Sequence, residues 1–165
     1  MKQKIVLIVH NIRSTYNVGS LLRTADGLGV SHVYLTGYTP YPLLDHDDRL
    51  PHIGRKTAAA INKTALGAEK NVDWSYNPEA LAVLEDLIEK GYELVALEQH
   101  PDAIPLPEFK PKHKVALLLG EEVAGIQNGL IDLCDTIIEI PMFGKKESFN
   151  VSVAAAIALA HIRFS

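Results

Sequence analysis

The five consecutive apolar residues Val115–Leu119 constrain the fold of this chain more than any other stretch. A strand with one face in water alternates polar and apolar side chains, whereas an unbroken VALLL run needs cover on both faces. The middle of a parallel sheet provides that cover. A second run of this kind, Ile5–Val9, lies near the N-terminus. Parallel neighbours must be joined by crossovers, and strand-like and helix-like segments do alternate along the sequence. Strands are expected at Lys4–Val9, His32–Thr36, Val72–Tyr76, Tyr92–Leu97, Val115–Leu119 and Thr136–Ile140. Leu21, Leu22, Ala25 and Leu28 recur at helical spacing, with Gly29 as a stop. Thr57–Ala68 reads as a helix, and Pro78 opens another with Leu81, Leu84, Leu87 and Ile88 as its buried stripe. A further helix is expected from Glu122 through Cys134, and a last one over Val151–Ala160. The proline- and aspartate-rich stretch between Gly37 and Gly54 reads as a long surface loop, and His100–Pro111 as a crossing loop. The pattern predicts one three-layer α/β domain over residues 1–165 with a mostly parallel sheet.

The last helix is unusual because apolar side chains occupy every side of it, so a single buried stripe does not account for it. The expectation is burial against its own sheet and against a second copy of the chain. Glutamate at Ala155 or Ala158 would then give monomer or aggregate. The helix is too short and too closely flanked by charge to span a bilayer, and Ile5–Val9 is too short for a signal peptide. The one cysteine, Cys134, excludes an internal disulfide framework, reads as a structural thiol and fits the cytoplasm. A net charge of −4 argues against a purely electrostatic nucleic-acid binder. Local basic groups remain at Arg13, Arg23, Arg55–Lys63, Lys110–Lys114 and Lys145-Lys146.

Several chemistries are absent from the sequence. The first strand-to-helix turn, VHNIRSTYNVG, holds neither a dinucleotide fingerprint nor a P-loop, and no GxSxG elbow occurs. The seven histidines are scattered without HExxH or CxxC spacing, so no metal is expected. Three strand–loop–helix segments remain: Asn17–Ala25, Leu119–Ile126, and Ile140–Ser152. Loops at the carboxyl ends of strands converge on the ligand crevice of an open α/β sheet. These offer main-chain hydrogen-bonding groups and apolar walls from Leu97, Ile140, Met142 and Phe149, which suits a flat adenine-like base.

In order, the segments read N-x-G-x-x-x-R-x-A, L-G-x-E-x-x-G and I-P-M-x(5)-S-x-N-V-S-x-A-x-A. This series resembles motifs 1 to 3 of the SpoU (TrmH-like) branch of the SPOUT superfamily, the RNA 2′-O-ribose methyltransferases. The resemblance covers nearly the whole chain. It implies S-adenosylmethionine as methyl donor, a homodimer, and a C-terminal trefoil knot. It puts Asn17 and Arg23 at the ribose and phosphate end of the site, with Glu122 and Asn150 as organisers and Ser148 beside the methyl donor. It assigns Leu97, Gly120, Ile140, Met142, Ser148 and Phe149 to the cofactor pocket. The bare residue types allow plainer roles: Glu122 as a helix-start carboxylate, Ser148 or Asn150 as helix caps, Arg23 as a surface arginine. Unlike larger members, the chain shows no added RNA-binding module, so the expected substrate is tRNA rather than ribosomal RNA. The alternatives are a ribosomal RNA methyltransferase and a non-catalytic RNA-binding module of the same fold. RNA contact is expected from the Tyr38–Ile53 loop and Lys145-Lys146.

Overall fold

A computed structural model describes residues 3–165. Seven strands are β1 (Lys4–His10), β2 (His32–Thr36), β3 (Trp74–Asn77), β4 (Glu93–Leu97), β5 (Ile104–Pro105), β6 (Lys114–Leu119) and β7 (Thr136–Glu139). They form one sheet in the order β3-β2-β1-β6-β4-β7-β5, and every pairing is parallel. The VALLL strand β6 lies near the centre, between β1 and β4, with Leu117 opposite both Leu7 and Val95. The pleat sorts its side chains. Val115, Leu117 and Leu119 join Ile5, Leu7 and Val9 in one core, while Ala116 and Leu118 join Val6 and Ile8 in the other.

The helices cover the two faces: α1 (Thr15–Gly27), α2 (Pro51–Ala65) and α5 (Val151–Phe164) on the first, α3 (Ala80–Glu89) and α4 (Asn128–Ile131) on the second. The three-layer α/β arrangement is the one expected. Arg163, at the end of α5, fastens the chain. It donates to the carbonyls of Leu28 (2.8 Å), Gly29 (2.8 Å) and Gln3 (2.7 Å), which satisfies the end of α1 with a cation where the helix dipole favours one.

Five local expectations need correction. Helix α2 begins at Pro51, not Thr57; proline at its first position needs no hydrogen-bond partner there, so the start is permitted despite a residue run without apolar period. The stripe of α3 is Ala80, Val83, Leu84 and Leu87, and both Leu81 and Ile88 face outward. The helix through Cys134 shrinks to the single turn α4, because residues 120–127 are held as a turn by the bridge between Glu121 and Gly125. The crossing loop contains the short edge strand β5. Helix α5 runs on to Phe164 rather than ending at Ala160; within the single chain Ala155, Ala158, Leu159 and Ile162 are fully buried, whereas Val153, Ile157 and Phe164 are exposed, which leaves a face for the second copy expected from the sequence. Glutamate at Ala155 or Ala158 would therefore bury an unpaired charge inside the monomer core and break the fold itself. It would report nothing on subunit contact.

The long loop after β2 is compact. Arg49 donates to the carbonyls of Tyr41 and Pro42 (2.9 Å each) and to Asp47, and lies 3.8 Å from the centre of the Tyr41 ring. Tyr41 stacks in turn on Tyr76, 4.0 Å away. The Arg49 hydrogen bonds hold the Asp47 carboxyl well below the usual carboxylate range.

Candidate active site

Parallel strands deliver their loops to one edge of the sheet, and the loops after β4, β6 and β7 enclose a cavity of about 470 Å³ there. Each of the six residues expected to hold a cofactor lines it: Leu97, Gly120, Ile140, Met142, Ser148 and Phe149. Glu122 and Asn150 line it as well. Asn17 reaches its rim from the first turn of α1, where Ser14 caps the helix. Its amide donates to Glu122 Oε1 (3.1 Å), and its Oδ1 accepts from Asn150 Nδ2 (3.2 Å). Three residues from three separate segments thus form one hydrogen-bonded chain. Asn150 also caps α5, since its Oδ1 accepts from the amide of Ser152 (3.0 Å) and from its hydroxyl (2.6 Å). Capping and a place at the rim coexist in one side chain, which fixes the Asn150 amide orientation.

Arg23 is not brought to this cavity. It lies six residues beyond Asn17, about 9 Å along α1 at 1.5 Å per residue, and is exposed. Among the described residues it has no ion pair or side-chain hydrogen bond. Ser148 lines the cavity, and its side chain has no hydrogen bond among the described residues.

Two features were missed from the sequence. Glu98, at the end of β4, accepts from the amides of Ile126 (2.9 Å, Oε2) and Gln99 (3.0 Å, Oε1), so its carboxylate moulds the turn that carries Glu122. Gly125 has φ +70°, and the Glu98 carboxylate occupies the place where a Cβ would stand. The glycine closing the second motif is thus required by a neighbouring acid that the motif does not include. The only signal available was the position of Glu98 at a strand's carboxyl end. The second feature is a tie between loops: Gln99 Nε2 donates to the carbonyl of Glu147 (2.5 Å).

The charge of the cavity decides which ligands suit it. Glu98, Glu121, Glu122 and Glu139 all line it, and no lysine or arginine does. A polyphosphate would be repelled by such a wall, and a cationic ligand favoured. Cys134 stands apart, its thiol donating to the Leu130 carbonyl (3.4 Å) and pushed up to about 12 by burial, so it supplies no nucleophile. Among the described residues, no cluster of three or more His, Cys, Asp or Glu is placed to hold a metal ion, and no helix is long and apolar enough to cross a membrane.

A three-layer parallel domain with its cavity built from loops at the carboxyl ends of strands defines an α/β ligand-binding class, and comparison with known proteins gives the family. The SpoU rRNA Methylase family model matches residues 4–160, and the chain belongs to that family. A tRNA (guanosine(18)-2′-O)-methyltransferase of Borreliella burgdorferi is 25% identical over 94% of this chain and 64% of its own. The SpoU methyltransferase AviRb of Streptomyces viridochromogenes, solved with AdoMet, is 24% identical with a TM-score of 0.77, over 98% of this chain and 60% of that one. A structure described as giving insights into the 2-OH methylation of C/U34 on tRNA is 21% identical with a TM-score of 0.72, over 96% of this chain and 93% of that one. The chain thus spans less than two thirds of the Borreliella and Streptomyces proteins.

Proposed function

We propose that this chain transfers a methyl group from S-adenosylmethionine to a ribose 2′-hydroxyl of RNA, with tRNA as the substrate. The observation that carries the reading is the cavity wall: motif loops, apolar side chains, four carboxylates and no basic residue. Such a wall accepts an adenosine bearing a positive sulfonium and disfavours dinucleotides and nucleoside polyphosphates. When bound, S-adenosylmethionine supplies an electrophilic methyl group. Leu97, Ile140, Met142 and Phe149 would flank its base, and Gly120 and Ser148 would approach it from the main chain and the hydroxyl. The Asn17–Glu122–Asn150 chain would fix the ribose edge, since catalysis here is chiefly positioning. Arg23 would hold the RNA phosphate through its fork of donors. A guanidinium stays protonated in proteins, so the 2′-hydroxyl proton passes to the phosphate or to a polarised water. The tRNA assignment draws on the Borreliella relative and on the weak overall charge, which favours recognition of a compact folded RNA by shape.

The same reading includes a homodimer and a trefoil knot. Val153 and Ile157 form an uncovered apolar strip on α5, and α1, which carries Arg23, packs beside α5. A second copy over that strip would meet α1 and bring its Arg23 toward the neighbouring cavity. For the knot, the support is the close association of residues 140–150 with the loops after β4 and β6.

Calorimetry is expected to detect binding of S-adenosylmethionine and of its demethylated product, and none of NAD. Labelled methyl groups should enter total tRNA, at ribose, in preference to naked ribosomal RNA. Label in ribosomal RNA alone moves the substrate; label on a base, or RNA binding without transfer, overturns the reading. Ile157→Glu, which leaves the monomer core untouched, is expected to shift sedimentation from dimer to monomer with the fold retained. A monomeric wild type at micromolar concentration contradicts the dimer.

A further inference from the structure

Tyr38 and Arg13 lie outside the motifs and outside the cavity, yet the structure invests in their placement. The main chain at Tyr38 is pinned on several sides. Its amide donates to Asn11 Oδ1 (3.1 Å), and the Tyr76 hydroxyl donates to the carbonyl of Gly37 (2.8 Å). The Thr39 hydroxyl, fully buried, donates to the Val9 carbonyl (2.9 Å) and accepts from the Ile12 amide (3.1 Å). Tyr76 is itself held against Tyr41 under Arg49. On this fixed mount Tyr38 is 49% exposed. Core packing has no use for a ring so presented, whereas a binding surface gains from one whose ordering cost is already met.

Arg13 links that ring to the cavity. Its guanidinium lies 5.6 Å from the Tyr38 ring centre and 3.5 Å from Glu121 Oε1, and Glu121 both lines the cavity and adjoins Glu122. The guanidinium thereby neutralises a carboxylate that would otherwise repel an approaching phosphate. An aromatic face with a cation beside it, at the edge of a site where a ribose must be presented, matches one chemistry above others. Unpaired bases of folded RNA stack on aromatic rings and guanidinium planes.

We propose that Tyr38 and Arg13 form a stacking platform for the unpaired base of the nucleotide whose ribose enters the site. This deepens the methyltransferase reading and rests on it. Every base has a π-face, so the platform orients the nucleotide and discriminates little between bases; any strong base preference must arise elsewhere.

The test uses the full-length wild type with Tyr38→Ala, Tyr38→Phe and Tyr38→Trp. The probe is bulk RNA from a strain lacking the protein, assayed by filter binding and by transfer from tritiated S-adenosylmethionine. Tyr38→Ala is expected to raise both the RNA Kd and the RNA KM by roughly tenfold or more. Its S-adenosylmethionine affinity and melting temperature should match wild type. Phe and Trp should stay within about threefold of wild type, since the ring and not the hydroxyl does the stacking. Unchanged RNA affinity in Tyr38→Ala, or a loss in Tyr38→Phe equal to that in Tyr38→Ala, overturns the platform. A wild type that binds RNA but transfers nothing overturns the catalytic reading alone, and the binding series still decides Tyr38. A wild type that binds no RNA overturns both.

Discussion

Arg23→Ala is expected to lower the rate of methyl transfer by roughly thirty- to a thousandfold, about 2–4 kcal/mol of transition-state stabilisation, with S-adenosylmethionine affinity unchanged. The unequal effect follows from geometry. Arg23 does not line the cavity, so the cofactor loses nothing when it is shortened. It stands exposed on α1 without a partner among the described residues, so its removal costs little stability. What it offers is a free bidentate donor for a phosphate, and a contact made in full only as the ribose reaches the methyl group raises kcat rather than binding. Because Arg23 sits about 9 Å along the helix from Asn17, the proposed arrangement has it serving the partner's site. Mixed dimers can test that directly. A dimer pairing an Arg23→Ala subunit with an Asn150→Ala subunit holds one intact composite site if Arg23 acts across the interface, and should recover about half of the wild-type rate. Full loss in the mixed dimer would mean that Arg23 serves its own chain. Normal turnover in the simple variant would make it an ordinary surface arginine.

How far the sequence reveals this molecule depends on how local each cause is. The central strands were legible because uninterrupted apolar runs have few alternative uses, and β2 ran over the expected residues His32–Thr36. The cavity loops were legible because glycine and small polar residues cluster at strand ends. The misses have long-range causes. Pro51–Lys56 carry no helical period, and α2 forms there because it packs against α1 and because Gly54 lets Leu43 approach. On α3 the pattern of leucines is ambiguous by one position, and only the sheet beneath decides that Val83 goes in while Leu81 stays out. Glu98 could not be singled out since its partners, Gly125 and Ile126, are distant in sequence. Arg163 binds three carbonyls near the opposite end of the chain, a long-range partnership that no local pattern signals. Arg23 is the reverse case: the motif marks it out, and among the described residues nothing pairs with it or accepts a side-chain hydrogen bond from it.

The glycine of the first motif points to a final expected result. Gly19→Ala should lower stability by about 3 kcal/mol, from the overpacking range, or roughly 6–12 °C in melting temperature for a domain of this size. Gly19 lies where α1 crosses α2. A Cβ there would run into the Thr64 hydroxyl and the Ile61 carbonyl, and would stand 2.8 Å from the Ala65 amide. The Thr64 hydroxyl cannot swing aside freely, because it donates to the Tyr16 carbonyl (2.8 Å) across the same crossing. Two of the three obstacles are backbone, so relief requires the helices to separate, and α1 carries Asn17 one half-turn away. Activity should therefore fall along with stability, through displacement of the Asn17–Glu122 bond. The internal control is Gly27, in the last turn of the same helix, where an added Cβ meets nothing within 4 Å. Gly27→Ala should be neutral or slightly stabilising, since alanine favours helix and restricts the unfolded chain. The measurement is paired thermal denaturation of the two variants. If Gly19→Ala melts with Gly27→Ala, the motif glycine is not a helix-crossing requirement, and its place in the sequence needs a role at the ligand instead.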